Sequence, residues 1–398
     1  MTQDGERLKV LLLSNSVSLG GMEEHVRLLA TYLDREEFEV FAVCPDWPDT
    51  AAFATSLRDA ADHLALISPD RRYGLFLQLR DSIKLIRQVR LWKIDVAHLH
   101  STTFRGQMVA ACCIRLGGAK HIYLTEHLAP DIQIPLARRI WRHAFGTLIS
   151  GIVCVSQKNY EARAARLLTP AGKTMIVPNG VEISRFESIS DERLHELRAE
   201  FDIDQHAPIV GTVVRFEPEK GLDDLVKAFA IVHEQRPESV LLMVGDGSLR
   251  SDLENEAAEL GLTKSVRFTG FRNDPRDFLG LMDVFVLPVP VGSMSIGLLE
   301  AMAMRCPPVI TFGGDGEAVV HGRSGFNADP HNPRSIASYV MTLLDQPALR
   351  REIGDAAHDR VEAHFSARQV AVTLGRLYRF GLSGVEHPRP YERVSESA

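Results

Sequence analysis

The 398-residue chain is poor in cysteine, poor in aromatic residues and without any long apolar run. Its five cysteines, Cys44, Cys112, Cys113, Cys154 and Cys306, are odd in number and form no C-x-x-C pair. That speaks against a disulfide framework and a zinc ribbon and fits a reducing, cytosolic compartment. No stretch of about 18 apolar residues occurs, and the start, MTQDGERLKVLLLSNS, has no cationic segment ahead of a long apolar one. The expectation is a protein that neither spans a membrane nor is exported. Several catalytic signatures are missing as well: there is no G-x-S-x-G elbow, no H-E-x-x-H, no G-x-G-x-x-G and no G-x-x-x-x-G-K-[ST]. Serine hydrolase, metalloprotease, dinucleotide hydride-transfer and P-loop chemistries lose support accordingly.

What is present is a globular composition, 45% hydrophobic and 24% charged, over a length that suits two to three domains at about 150 residues each. The net charge of -7 hides an asymmetry. Residues 1–180 carry 22 Lys and Arg against 18 Asp and Glu, whereas the remainder carries 23 against 34. Between Arg71 and Lys173 there are 17 basic residues and 5 acidic ones. Such a stretch suits a polyanionic partner, either anionic lipid or a phosphorylated ligand; a set of solvated helix faces is the alternative. The acidic balance overall, with no aromatic-basic platform, argues against nucleic acid.

Short apolar runs alternate with segments of helical period, the pattern of parallel strands threaded by crossover helices, which predicts an α/β fold. Strands are expected at 9–16, 38–44, 63–67, 95–101, 121–127 and 151–156, as near-continuous Val/Ile/Leu runs of a sheet covered on both faces. The pattern restarts with strands at 208–216, 239–247, 265–271, 283–289 and 307–312. Two parallel-sheet domains follow, over 1–185 and 186–365. A helix over 366–380 is opened by Ser366 and Gln369 in capping-box spacing, and a Pro- and Glu-rich tail over 381–398 reads as loose.

Candidate chemistry lies where strands end. Ser18-Leu19-Gly20-Gly21 follows the first strand, and a glycine turn ahead of a helix exposes amides to an anion; it also reads as a tight turn. Arg215 and Lys220, in RFEPEKG, would neutralise a diphosphate, or else belong to a solvated, acid-flanked loop. In SMSIGLLEAMAMR, free amides around Ser295, Gly297 and Leu298 could grip the same diphosphate, and Glu300 could hold a ribose diol or simply complement the helix dipole. His127, in YLTEHLAP, sits at a strand end where a neutral ring can meet a sugar hydroxyl. His98 and His100 point the same way, but no neighbouring ligand cluster accompanies them, so they read as packing or supporting residues rather than a metal site. Asp202 and Asp204 read as surface charge.

Taken in order, GGME (20–23), TEH (125–127), VPNGVEISRF (177–186), RFEPEKG (215–221), VGDGSLRSDL (244–253), VRFTGF (266–271) and LLEAMA (298–303) resemble the retaining family-four glycosyltransferases over roughly residues 8 to 380. The resemblance implies a GT-B architecture, two facing Rossmann-like domains with the active site in the cleft between them and the last helix crossing back to the N-terminal domain. It also implies a metal-independent transfer of a sugar, with retention, from a nucleotide diphosphate to an acceptor hydroxyl, without a cofactor. By the same resemblance, Gly20 and Gly21 flank the donor diphosphate, and on the acceptor side Glu23 follows them and His127 approaches the transferred sugar. Arg215 and Lys220 meet the leaving diphosphate, Glu300 holds the ribose, and Phe268 to Arg272, including Phe271, lie near the base.

One departure stands out. The family carries a Glu-x7-Glu pair, and eight positions before Glu300 is Gly292, not glutamate. Ser293 or Ser295 offers only neutral hydrogen bonds there, about half as strong as charge-assisted ones. A catalytically weakened nucleotide-sugar binder is therefore one alternative, and another GT-B enzyme, such as a nucleotide-sugar epimerase or a phosphorylase, is a second. The basic N-terminal half, with Arg138, Arg139, Trp141 and Arg142 around Ile140, suits an anionic membrane surface. The expected acceptor is a lipid-linked glycan of bacterial surface-polysaccharide assembly, met at the cytoplasmic face of the membrane by a peripheral enzyme. Donor base, acceptor, linkage and oligomeric state stay open.

Overall fold

The computed structural model describes residues 6–15, 20–68, 75–100, 104–127, 136–164, 172–187, 189–272, 275–290, 294–312 and 317–385. These form two compact units, one of residues up to Gly180 together with those from Ala367 onward, the other of Val181–Ser366. The division at Gly180 falls slightly before the boundary expected at 185/186.

The strands of the first unit are β1 (Leu8–Ser14), β2 (Phe38–Cys44), β3 (His63–Leu66), β4 (Val96–His100), β5 (His121–Glu126), β6 (Gly151–Cys154) and β7 (Thr174–Ile176). They pair in parallel in the order β3-β2-β1-β4-β5-β6-β7. The second unit holds β8 (Ile209–Val213), β9 (Val240–Val244), β10 (Val266–Gly270), β11 (Val284–Leu287), β12 (Pro308–Thr311) and β13 (Phe326–Ala328), parallel in the order β10-β9-β8-β11-β12-β13. β7 and β13 were not anticipated: three residues each, TMI and FNA, are too few to carry a period.

The helices are α1 (Gly21–Tyr32), α2 (Ala51–Ala60), α3 (Leu75–Trp92), α4 (Phe104–Gly117), α5 (Leu136–Leu148), α6 (Gln157–Ala164), α7 (Asp191–Glu200), α8 (Leu222–Gln235), α9 (Arg250–Glu259), α10 (Arg276–Leu281), α11 (Ile296–Ala303), α12 (Pro333–Asp345), α13 (Pro347–His364) and α14 (Ala367–Phe380). The run LKVLLLS is apolar throughout because both faces of its strand are covered. Val10 and Leu12 join one core with α1 and α14, and Leu11 and Leu13 join the other with α3 and α4.

Although it lies far along the chain, α14 belongs to the first unit. Val370, Leu374, Leu377 and Tyr378 enter the core shared with Val26 and Leu29 of α1. Gly180 makes that return possible, since a Cβ there would stand 2.8 Å from the Cα of Ala367. Polar bonds then fix the helix. The Tyr123 hydroxyl donates to the Leu377 carbonyl at 3.3 Å, and the Tyr378 hydroxyl lies 2.5 Å from Nδ1 of His98, whose Nε2 is 2.7 Å from Oγ1 of Thr125. All these side chains are buried.

Two outcomes are expected. Tyr378→Phe keeps the ring but leaves a buried imidazole nitrogen without its partner, which should cost about 2 kcal/mol. Because Trp47, Trp92 and Trp141 all precede Gly180, tryptophan fluorescence during urea unfolding reads this unit directly. Burial, and less so the neighbouring His25, pushes the His98 pKa down to about 3. In the unfolded chain it returns to about 6.5, so the unfolded state takes up the proton first as pH falls. Full stability holds above pH 6.5 and is lost between 6.5 and 3, at about 1.4 kcal/mol per pH unit for this ring alone. A urea midpoint that falls between about pH 7.5 and about pH 5, with a shallower fall in His98→Gln, is the expected result; an unchanged midpoint contradicts it.

Candidate functional site

Both sheets reverse direction of growth at one strand, β1 in the first and β8 in the second, and in open parallel sheets ligands gather outside the carboxyl ends at that switch point. In the first unit this edge is built of imidazoles. His98 and His100 end β4, His127 follows β5, and His25 comes from the second turn of α1. Ring centroids lie 4.3 Å apart for His98 and His100, 5.4 Å for His25 and His100, and 5.2 Å for His25 and His127. Nδ1 of His100 and Nε2 of His127 approach to 3.3 Å. Asn15, just past β1, closes the group through its N–H, which donates to the His100 carbonyl at 3.3 Å.

All four rings are buried, and burial is the largest cause of the same shift in each. The His25 pKa falls to about 4 and that of His98 to about 3, while His100 and His127 sit well below 6.5, lowered further by their neighbours' charge. At neutral pH the layer is therefore uncharged. His127 can exchange neutral hydrogen bonds but lacks the second proton that would make it an acid. Both nitrogens of His98 are engaged by hydroxyls, and among the described residues no group of three His, Cys, Asp or Glu could hold a metal.

Gly20 is extended (φ -178°), and Gly21 begins α1; Ser18 and Leu19 lie outside the described residues. The buried Glu23 folds back toward the turn, with Oε2 3.4 Å from where a Gly20 Cβ would stand. A group that the motif reading left without a role is Glu126. It forms an ion pair with the buried Arg163 of α6, and Asn159 Nδ2 donates to the Glu126 carbonyl at 3.3 Å. The residue before His127 is thus anchored from a neighbouring helix, and only the arginine in QKNYEARA could have hinted at it.

In the second unit Arg215 stands exposed just past β8, at the switch point. Its backbone is clamped by the VGDG loop that ends β9. The Val214 N–H donates to the Val244 carbonyl at 3.0 Å, that of Phe216 to Asp246 at 2.9 Å, and that of Leu249 to Phe216 at 3.0 Å. Both loop glycines are required by this approach. A Cβ on Gly245 (φ +140°) would lie 1.9 Å from the Val214 carbonyl oxygen, and one on Gly247 would lie 2.4 Å from that of Phe216. Lys220, half-buried, ends the short 3-10 turn Pro218–Lys220 directly ahead of α8.

Nearby, α11 packs tightly under the same edge. A Cβ on Gly297 would meet the Val213 carbonyl oxygen at 2.7 Å, so this glycine has a packing reason to be there. Glu300, buried, lies one turn further along. The expectation of free amides needs correction at Leu298: its N–H donates to the Ser295 side chain at 3.4 Å, because Ser295 is the helix N-cap. Phe268, partly buried, lies on the edge strand β10, two strands from β8, and its ring packs edge-on against Phe216 at 6.2 Å. Phe271 is exposed just past β10, while the Arg272 guanidinium sits over Phe201 and Phe278 at 5.3 and 5.2 Å. Gly292 and Ser293 lie outside the described residues, as do the side chains of Arg138, Arg139, Trp141 and Arg142; Ile140 of α5 is exposed.

Comparison with known proteins agrees with this geometry. Residues 195–360 match the family model of glycosyl transferases group 1, and residues 19–185 that of glycosyltransferase family 4. The chain is 30% identical to a glycogen synthase of Mycobacterium tuberculosis over 96% of both proteins. It is 28% identical to a GDP-mannose-dependent monoacylated alpha-(1-6)-phosphatidylinositol monomannoside mannosyltransferase of Corynebacterium glutamicum, over 90% of this chain and 94% of that protein. Its fold is similar to Anabaena Alr3699/HepE in complex with UDP and glucose, with a TM-score of 0.80 and 20% identity over 94% of this chain and all of that one. The two parallel-sheet units are those of the GT-B architecture, and the chain belongs to the group 1 glycosyltransferases.

Proposed function

We propose that the protein transfers a sugar from a nucleoside diphosphate to a hydroxyl of a lipid-linked glycan, with retention at the anomeric carbon and without a metal ion. The observation that carries this reading is Arg215, whose flanking backbone is clamped at the switch point of the second unit, with Lys220 in the same connection. When the bond between the anomeric carbon and the diphosphate oxygen breaks, its electrons collect on the diphosphate. A guanidinium and an ammonium projecting from that clamped backbone meet the charge and take the part a divalent cation plays elsewhere.

Retention is taken from the family resemblance, and what the first unit offers is in keeping with it. Glu126 is committed to Arg163, and the imidazoles are neutral, so neither supplies an evident nucleophile or acid. The acceptor oxygen then attacks on the face the diphosphate leaves. A new carbon–oxygen bond forms as the old one breaks, and the acceptor proton passes to a diphosphate oxygen. His127 contributes neutral hydrogen bonds to sugar hydroxyls, and Glu300 a buried carboxylate for the ribose.

For the acceptor, the corynebacterial relative is named for a phosphatidylinositol mannoside, and the 71–173 stretch carries 17 basic residues against 5 acidic. Among the described residues no helix is long and apolar enough to cross a membrane. Together these support peripheral attachment at the cytoplasmic face of a membrane. Flotation with anionic liposomes should be strong at low salt and fall at about 0.5 M salt; absence of binding at low salt counts against the membrane part.

The catalytic reading is tested with UDP-, GDP- and ADP-sugars, following nucleoside diphosphate release with and without bacterial lipid extract and with EDTA. Release should depend on lipid and survive EDTA. Arg215→Ala should lower kcat/KM about 100- to 1000-fold, the scale of losing one preorganised charge-stabilising donor. Gly292 favours a second reading, a binding-only member of the family. That reading gains if every donor fails while nucleoside diphosphates bind by calorimetry and Gly292→Glu switches release on.

A further inference from the structure

His127 is not held by its own strand alone. Nδ1 of His100 lies 3.3 Å from its Nε2, and both rings are buried. His100 is itself packed against His98 at 4.3 Å, and His98 is pinned at both nitrogens by Tyr378 and Thr125. On another side His25 approaches His100 and His127 at 5.4 and 5.2 Å. A chain of fixed rings therefore runs from α14 through β4 to the loop after β5.

Two neutral imidazoles that share a hydrogen bond must have one N–H between their facing nitrogens. If His127 donated from Nε2, the proton of His100 would sit on its Nε2, which is buried and without an acceptor among the described residues. A buried N–H without a partner is rarer than a bare acceptor nitrogen. The opposite assignment avoids it. We infer that His100 is a positioning residue: its Nδ1–H donates to Nε2 of His127, fixes that ring's orientation and leaves the His127 proton on Nδ1. The consequence for transfer rests on the reading of His127 as the group beside the transferred sugar.

The test uses the full chain labelled with [15N]histidine and long-range 1H–15N NMR, the His127 signals being identified by their loss in His127→Gln. In the wild type they should report an Nδ1–H tautomer, in His100→Leu a mixture, and in His100→Asn, whose amide nitrogen replaces Nδ1, the wild-type pattern. Nucleoside diphosphate release should fall roughly 10- to 100-fold in kcat in His100→Leu, with KM little changed, and recover in His100→Asn. An Nε2–H tautomer in the wild type overturns the inference even if His100→Leu does not fold. So do unchanged His127 signals in His100→Leu, or equal impairment of the two variants at equal tautomer, which marks a purely structural residue. If His127→Gln transfers at full rate, the reading of His127 fails while the tautomer result still decides the role of His100.

Discussion

Burying His25, His98, His100 and His127 within about one ring's breadth of one another is tolerable only while all four stay neutral. A second charge in that volume would face both the loss of water and the repulsion of the first. Most of what the first unit does follows from this constraint. Neutral rings need hydrogen bonds of complementary sense, so the layer recruits Tyr378 and Thr125, and through Tyr378 it draws α14 onto a sheet whose strands were completed nearly two hundred residues earlier. The same neutrality gives the carboxyl edge a row of hydrogen-bonding groups without net charge.

The second unit meets the opposite requirement by different means. Its charge is carried by exposed or half-buried cations, and what is buried is the backbone that aims them. Gly245 and Gly247 let the β9 loop lie against residues 214–216, Gly221 lets the start of α8 press on the Pro288 carbonyl, and Gly297 seats α11 against Val213. At each of these places the atom a Cβ would strike is a main-chain oxygen, which cannot swing aside as the end of a side chain can. The glycines of VGDG, EKG and SIG are thus a packing code for the switch point, whatever binds there.

Much of this was legible in the sequence because parallel strands buried on both faces leave continuous apolar runs, and because turns at their carboxyl ends need particular residues. The eleven expected strands exist with slightly shorter bounds; β7 and β13 were lost because three residues carry no period. His98 and His100 read from their spacing as packing or supporting residues, and both rings are buried against one another. What pairs them was not legible. Tyr378 is 280 positions from His98, and Arg163 is 37 from Glu126, separations that no local pattern encodes. The packing of Phe268 against Phe216, 52 positions away, was likewise not encoded by any local pattern.

The two edges also divide the chemistry in a way that single residues do not. Breaking a glycosyl–phosphate bond moves negative charge onto the leaving group and leaves positive charge on the sugar ring. Cations placed near the sugar would oppose the second of these, while neutral rings do not. On the proposed reading, the histidine layer that burial keeps uncharged answers the second demand, and the exposed cations of the second unit answer the first. On the same reading, the burial that keeps His127 neutral also suits it to stand beside a ring becoming cationic.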